Sequence, residues 1–131
     1  MIGGYILDAT AVRQLAQGGP YMIARVFYAV EAVQALYVPT TALAAGLVGF
    51  DLNAARREQV EQALDAPAFQ IHDLDRATAL AVAEIATMAQ VDIATAHVAH
   101  LALRRPGLPV LTTQPGELHK VHPTIEVEEL P

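Results

Sequence analysis

Three residue types are missing from this chain of 131 residues, and each absence bears on what the protein can be. Because cysteine is absent, neither a disulfide framework nor a thiolate metal site is available. Because serine is absent, the G-x-S-x-G turn of serine hydrolases is excluded. Tryptophan is absent while alanine is heavily used, which favours a helix-rich chain with a finely packed core. The chemistry left for catalysis is that of carboxylates, histidines and metal ions.

Long apolar runs and phosphate-binding glycine motifs are lacking as well. No uninterrupted apolar run approaches the roughly 18–20 residues that a membrane span needs. No basic segment precedes the first apolar residues, as it would in a signal peptide. We therefore expect a soluble, cytoplasmic protein with no membrane partner. Gly3 and Gly4 precede the first apolar run rather than follow it, and no G-x-x-x-x-G-K-[ST] occurs, so no phosphate-binding loop is predicted.

Composition favours one folded domain with an acidic surface. Hydrophobic residues make up 53% of the chain and charged residues 17%, which argues against disorder. The length suits a single domain, residues 1–131, with a hydrophobic core of its own. The net charge of −6 does not suggest general nucleic-acid binding. An acidic metal-binding cleft ringed by a few arginines remains compatible with it.

The stretch from Tyr5 to Thr10 organises the rest of the sequence. Its short apolar run, bounded by glycines and followed at once by a helical pattern, predicts a buried strand of a parallel sheet. Asp8 stands at the end of this strand, where ligand crevices open in α/β sheets. A bare carboxylate there is costly unless it is solvated, capping a helix or holding a cation. From this stretch alone, capping of the next helix by Asp8 or Thr10 is the preferred interpretation.

Strand-like and helical segments alternate along the whole chain. Strands are predicted at residues 5–8, 36–39, 68–72, 108–112 and 125–129. Helices are predicted at residues 10–17, 20–35, 41–46, 54–64, 76–90, 92–104 and 115–120, with Thr40 or Thr41, Asn53, and Asp73 or Asp75 as caps. This alternation indicates βαβ crossovers. We expect an α/β domain with a parallel sheet of about five strands flanked by helices on both faces.

Histidines occur in two pairs with the same spacing, His97 with His100 and His119 with His122. A spacing of three residues places two imidazoles on one helix face, where they can serve a metal ion. No carboxylate follows at a suitable spacing and no H-E-x-x-H is present. Surface or half-buried histidines are therefore the preferred interpretation.

Two carboxylates are better placed for metal chemistry. Asp8 ends the first strand and Asp92 opens the helix that precedes the fourth. In a parallel sheet both can face the same crevice, and a pair of acids there suits Mg²⁺ or Mn²⁺. The competing interpretation for Asp92 is a helix cap with a favourable dipole interaction. The order of elements leaves both interpretations open.

These residues, taken in order, resemble a known family. The stretch from Tyr5 to Thr10, Val38-Pro39 before a small helix, Asp92 with Ala96, and the final segment from Gly107 onwards resemble the PIN domain. The chain is most similar to the VapC-type toxins of toxin–antitoxin pairs, and the resemblance covers essentially the whole sequence. PIN domains are endoribonucleases in which three or four acids hold one or two Mg²⁺ or Mn²⁺ ions.

The resemblance implies a site in which Asp8 is the first acid, supported by the Thr10 hydroxyl, and Asp92 is the third. These two would be the catalytic and metal-binding residues. The position of the second acid falls on Ala45. With two of four acids missing, the resemblance implies a metal that is weakly bound or absent.

The fourth acid should follow the strand that ends at Thr112, and the residue there is Gln114. Three hypotheses follow from these departures. The preferred one is a PIN-like protein with little or no nuclease activity that acts by binding RNA or protein. The second is an active Mg²⁺- or Mn²⁺-dependent endoribonuclease that relies on Asp8 and Asp92, with Gln114 and Thr112 in support. The third is a small-molecule or phosphoryl-handling domain.

The resemblance also implies partners, namely RNA, an antitoxin-like protein and a second copy in a homodimer. An antitoxin tail would lie in a groove beside the first helices. The apolar stripe from Val26 to Tyr37, together with Phe27, is a candidate lining, although burial in the core is the preferred expectation. Arg13, just after Asp8 on the first helix, is the preferred candidate for an RNA contact.

Overall fold

A computed structural model describes residues 3–131, and over this range five strands alternate with seven helices. The strands are β1 (Gly4–Leu7), β2 (Ala35–Pro39), β3 (Phe69–His72), β4 (Val110–Thr112) and β5 (Val127–Glu129). The helices are α1 (Ala9–Ala16), α2 (Pro20–Glu31), α3 (Thr40–Gly46), α4 (Ala54–Leu64), α5 (Arg76–Ala89), α6 (Ile93–Arg104) and α7 (Pro115–Val121). The α/β fold predicted from the sequence is confirmed.

All pairings in the sheet are parallel, in the order β3-β2-β1-β4-β5. From β1 the chain moves outward through β2 to β3, then returns to the other side of β1 for β4 and β5. The strand order therefore reverses between β1 and β4, where Ile6 lies opposite Val110 and Leu7 opposite Leu111.

Helices cover both faces of the sheet. Neighbouring residues of a strand point to opposite faces, so successive apolar residues of β1 belong to different clusters. Leu7 belongs to a cluster with Val12 of α1 and Met22 of α2. Its neighbour Ile6 belongs to a second cluster with Val98 of α6 and other residues of α6 and α7. Each face of the central strand is thus buried by its own layer of helices, as the apolar run predicts.

Of the caps predicted for α3, α4 and α5, those of α4 and α5 are confirmed and that of α3 is wrong. Asn53 caps α4 and Asp75 caps α5, each through a side-chain oxygen that accepts a backbone N–H. Residue 39 is the cap of α3, and no side chain provides a capping bond there. Thr40 instead accepts a hydrogen bond from the backbone of the segment before α5, and Thr41 bonds to a histidine of α6. Both hydroxyls join α3 to other parts of the fold.

The second helix differs from its prediction in length and in burial. It ends at Glu31 rather than near residue 35, because Val33 adopts a positive φ of 55° and turns the chain into β2. The expected burial of its apolar stripe is correct only in part. Val26 is half-buried against the core, whereas Phe27 is 68% exposed and Val30 and Val33 are also exposed. In the described part of the chain, no single helix is long and apolar enough to span a membrane.

Candidate functional site at the reversal of strand order

The reversal between β1 and β4 brings Asp8 and Thr10 to the end of β4. In open α/β sheets, the crevice outside the carboxyl ends of the strands at such a point is the usual ligand site. Asp8 follows β1 directly, and its backbone N–H donates to the carbonyl of Leu111 at 3.4 Å. Thr10 receives a hydrogen bond from the backbone N–H of Thr113, just beyond β4, at 2.9 Å. The two strand ends are therefore joined at this point.

Asp8 is half-buried and caps α1. Its Oδ1 accepts the Thr10 hydroxyl at 2.6 Å and the Ala11 backbone N–H at 3.0 Å. Because Thr10 also accepts from Thr113, a continuous hydrogen-bond chain runs from the Asp8 carboxylate to the end of β4. The capping interpretation of Asp8 is confirmed, and Thr10 contacts Asp8 as the resemblance implies.

Asp92 also caps a helix. Its Oδ1 accepts the backbone N–H of Thr95 at 2.6 Å at the start of α6, and its side chain is exposed. Among residues 3–131, no three side chains of histidine, aspartate or glutamate are grouped closely enough to hold a metal ion. The two acids therefore do not form part of a larger cluster of ligands.

A small cavity of about 230 Å³ lies beside this point, and α1, α3 and the end of β4 contribute to it. Its lining includes Ala9, Thr10, Arg13, Gln14, Ala45 and Thr113. Ala45 thus faces the same space as Thr10 and contributes a methyl group to the lining. Gln114 lies outside this lining, and its backbone N–H donates to the buried Thr112 hydroxyl at 2.8 Å. Among the described lining residues, the only charged side chain is that of Arg13, which is positive.

The guanidinium of Arg13 already has intramolecular partners. The guanidinium donates to the carbonyl of Val48 and lies 5.3 Å from the ring centroid of Phe50. Arg13 therefore ties α1 to the segment after α3 while lining the small cavity. Any RNA contact by Arg13 would have to share the guanidinium with these intramolecular partners.

Gly46 sets how closely α3 approaches α1. A Cβ atom at this position would lie 2.6 Å from Cγ1 of Val12 and 2.8 Å from the carbonyl oxygen of Ala9. Both distances are shorter than van der Waals contact, so only glycine allows this approach. The close contact of the two helices places Ala45 beside Thr10 at the small cavity.

A larger, mainly apolar groove of about 570 Å³ lies between α1, α3 and α4. Its lining includes Val12, Leu15, Val26, Leu43, Leu47 and Val60, with Arg56 as its one charged residue among those described. Every residue of α4 is exposed except Val60 and Leu64, which are half-buried. This helix therefore covers the groove only loosely. The sequence gives little sign of it, because α4 has no continuous apolar face.

The two histidine pairs have different surroundings. His119 bonds through Nε2 to the carbonyl of Ile125 at 3.1 Å, and His122 accepts from the backbone N–H of Thr124 at 3.2 Å. This pair therefore stabilises the turn before β5. His97 is buried and His100 half-buried, and both line a separate cavity.

Comparison with known proteins does not assign the chain to a family. No protein-family model matches the sequence, and a search of curated proteins finds no match.

Proposed function

We propose that this protein is a PIN-like domain with an incomplete acidic site, and that it acts by binding a protein partner rather than by cutting RNA. The observation that carries the proposal is the lining of the small cavity at the strand reversal. Ala45 contributes a methyl group there, and Arg13 is the only charged residue among the described lining. A cavity with this lining does not attract a divalent cation.

The available oxygen ligands support the same conclusion. Mg²⁺ is held in proteins by carboxylates together with waters and phosphates. Oδ1 of Asp8 already accepts two hydrogen bonds, and Oδ1 of Asp92 accepts a helix N–H. Gln114 offers only a neutral amide oxygen. Because the missing acids remove negative charge at two positions, these residues do not fit a tightly held ion.

The apolar groove supports a protein partner. Concave apolar surfaces with a few polar groups are typical binding sites, and apolar grooves often accept the apolar face of a helix or an extended segment. The groove has Leu15, Leu43 and Leu47 in its lining and Arg56 as its charged residue. The partner that fits best is therefore a segment with apolar side chains and an acidic group, as an antitoxin-like tail would have. A homodimer and an RNA partner stay predictions of the resemblance.

A second candidate function is an active Mg²⁺- or Mn²⁺-dependent endoribonuclease that uses Asp8 and Asp92. The observation that favours it is the hydrogen-bond chain from Asp8 through Thr10 to Thr113. This chain fixes a carboxylate at the strand reversal, where a catalytic acid would be useful. A phosphate of bound RNA would then supply the ligands that the protein lacks.

Cleavage of a mixed, structured RNA in the presence of Mg²⁺ or Mn²⁺ tests both candidates. The variants to compare are Asp8→Ala, the double variant Ala45→Glu/Gln114→Asp, and Asp51→Ala as a control for loss of an exposed carboxylate. We expect no cleavage by the wild type and cleavage by the double variant. Wild-type cleavage that Asp8→Ala abolishes and Asp51→Ala leaves unchanged would overturn the proposal in favour of the nuclease. Absence of cleavage by the double variant would contradict the PIN-like assignment of these positions.

A further inference from the structure

A second cavity, of about 610 Å³, lies where β3 meets α5 and α6, away from the strand reversal. We call it the histidine cavity. Its ionisable lining consists of His72, Asp73, Asp75, His97, His100, Arg104 and Arg105. Neither the proposed protein binding nor the alternative nuclease uses these residues.

One face of α6 supplies most of this lining. His97, His100 and Arg104 follow one another at spacings of three and four residues, which places them in a row on one side of a helix. Leu101, in the same row, also lines the cavity. The sequence predicts that the two imidazoles share a face, and the structure shows what that face contacts.

His97 is a buried polar group with one nitrogen left for the cavity. Its side chain is only 2% exposed, and Nδ1 lies 2.7 Å from the hydroxyl of Thr41. Among the described residues, the hydrogen bond of the His97 ring is made by Nδ1, and Nε2 is left for the cavity that His97 lines. If Thr41 donates to Nδ1, then Nε2 carries the hydrogen and is a donor toward a ligand.

Arg105 is held in place by aromatic contacts. Its guanidinium lies 4.9 Å from the ring centroid of Tyr37, which is itself 5.6 Å from the ring of His72. Stacking on an aromatic ring restricts the planar guanidinium before any ligand arrives. The donors of Arg105 are therefore partly pre-organised at the edge of the cavity.

The charged groups of this cavity act on its three histidines. Burial lowers the pKa of all three histidines, and nearby cations lower it further: His100 and His72 act on His97, Arg104 on His100, and Arg105 on His72. Two carboxylates oppose this effect. Asp73 faces His72, and Asp75 faces His97 and His100, raising the pKa of each.

Asp75 also caps α5, because its Oδ1 accepts the backbone N–H of Thr78 at 2.8 Å. When the histidines are protonated, three imidazolium and two guanidinium groups face two carboxylates in this cavity, and an anion that enters it relieves the repulsion among the cations. Arginine and histidine side chains are suited to phosphate oxygens, because both offer N–H donors, and arginine offers them in a planar fork.

We propose that the histidine cavity binds a phosphate group, either as free phosphate or as the phosphate monoester of a nucleotide. Its volume lies within the range of small-ligand sites, roughly 300–1,000 Å³. His97 Nε2, His100, Arg104 and Arg105 would donate to the phosphate oxygens. This inference is independent of the protein-binding groove, which lies between other helices.

Calorimetric titration of the whole protein with inorganic phosphate and with adenosine monophosphate tests this site. Sulfate is added as a third probe because its charge does not change between pH 6 and pH 8. We expect saturable binding of phosphate or nucleotide, and tighter sulfate binding at pH 6 than at pH 8 because the histidines are then more fully protonated. Tighter binding of the nucleotide than of phosphate identifies a monoester ligand, and equal binding identifies free phosphate.

Variants separate this site from general electrostatic attraction. Arg104→Gln and His100→Gln are expected to weaken binding at least about tenfold, since each removes a charge-assisted hydrogen bond. Arg57→Gln on the exposed α4 removes the same charge as Arg104→Gln and should leave binding unchanged. Absence of saturable binding by the wild type, or equal weakening by Arg57→Gln, would overturn the proposal. Circular dichroism of each variant checks that the fold is retained.

Discussion

Replacing Gly46 with alanine tests the close packing that positions the small cavity. The added methyl would meet Cγ1 of Val12 at 2.6 Å and the backbone oxygen of Ala9 at 2.8 Å. Cγ1 of Val12 can rotate away from such a contact, but Cβ of Val12, at 2.7 Å, and the backbone oxygen of Ala9 move only with α1. We therefore expect α1 and α3 to separate slightly in Gly46→Ala, with a loss of stability.

The expected loss combines two opposing effects. Overpacking of this kind costs about 1–3 kcal/mol. Alanine is favoured over glycine within a helix by up to about 1 kcal/mol, an advantage that is reduced at the last residue of α3. Because one of the two clashes involves backbone, we expect a net decrease of about 1–2 kcal/mol in the free energy of unfolding. Urea denaturation followed by circular dichroism measures this decrease.

Gly116→Ala is the matched control. This glycine also lies in a helix, and among the described residues nothing approaches within 4 Å of the position where its Cβ would be. We expect Gly116→Ala to be neutral or slightly stabilising. In a Val12→Ala background, Gly46→Ala should still be destabilising, because the Cβ of residue 12 and the backbone oxygen of Ala9 both stay in close contact with the added methyl. Gly46→Ala that is as stable as Gly116→Ala would refute the packing argument.

Two further predictions concern stability. Arg25 donates to the hydroxyls of Tyr5 and Tyr21, stacks on both rings and pairs with Glu128. Arg25→Ala should therefore lower the free energy of unfolding by about 2–4 kcal/mol in urea titrations. Arg25→Lys should retain part of this stabilisation, and a loss under about 0.5 kcal/mol in Arg25→Ala would contradict this role. The three cavity histidines have lowered pKa values when folded, so the unfolded chain binds more protons near pH 6.5. Stability should be full above about pH 7.5 and fall toward pH 5.5, by at most about 1.4 kcal/mol per pH unit for each proton taken up; His100→Gln should reduce this slope, and a flat profile would be inconsistent with it.

Much of the fold follows from local patterns in the sequence. The apolar run of β1 is short and bounded by glycines, so it predicts a buried strand even when the neighbouring strands are unknown. Asn53 and Asp75 are correctly predicted as caps, because a capping side chain bonds to a backbone N–H only three residues away. The same local geometry explains why Asp8 and Asp92 cap their helices. In each case the interacting groups are close in sequence.

Predictions that depend on residues distant in the sequence were wrong at several positions. Thr40 and Thr41 have the right chemistry for caps, but their hydroxyls contact segments more than thirty residues away. Phe27 lies on an apolar stripe typical of a core helix, yet it is exposed because α2 turns another face to the sheet. Periodicity indicates that a helix has an apolar side, and it does not say what covers that side.

The amino-acid sequence by itself determined the alternating elements, the parallel α/β fold, the preferred capping interpretation of Asp8, and the absence of acids in α3 and at Gln114. Only the tertiary structure decided which residues meet. The reversal of strand order joins Thr10 to Thr113, and α6 turns His97 and His100 toward Asp75 across a cavity. These contacts link segments far apart in the chain, and their geometry depends on how whole helices pack on the sheet. Local patterns carry no information about that packing, and for this reason the histidine cavity emerged only from the folded structure.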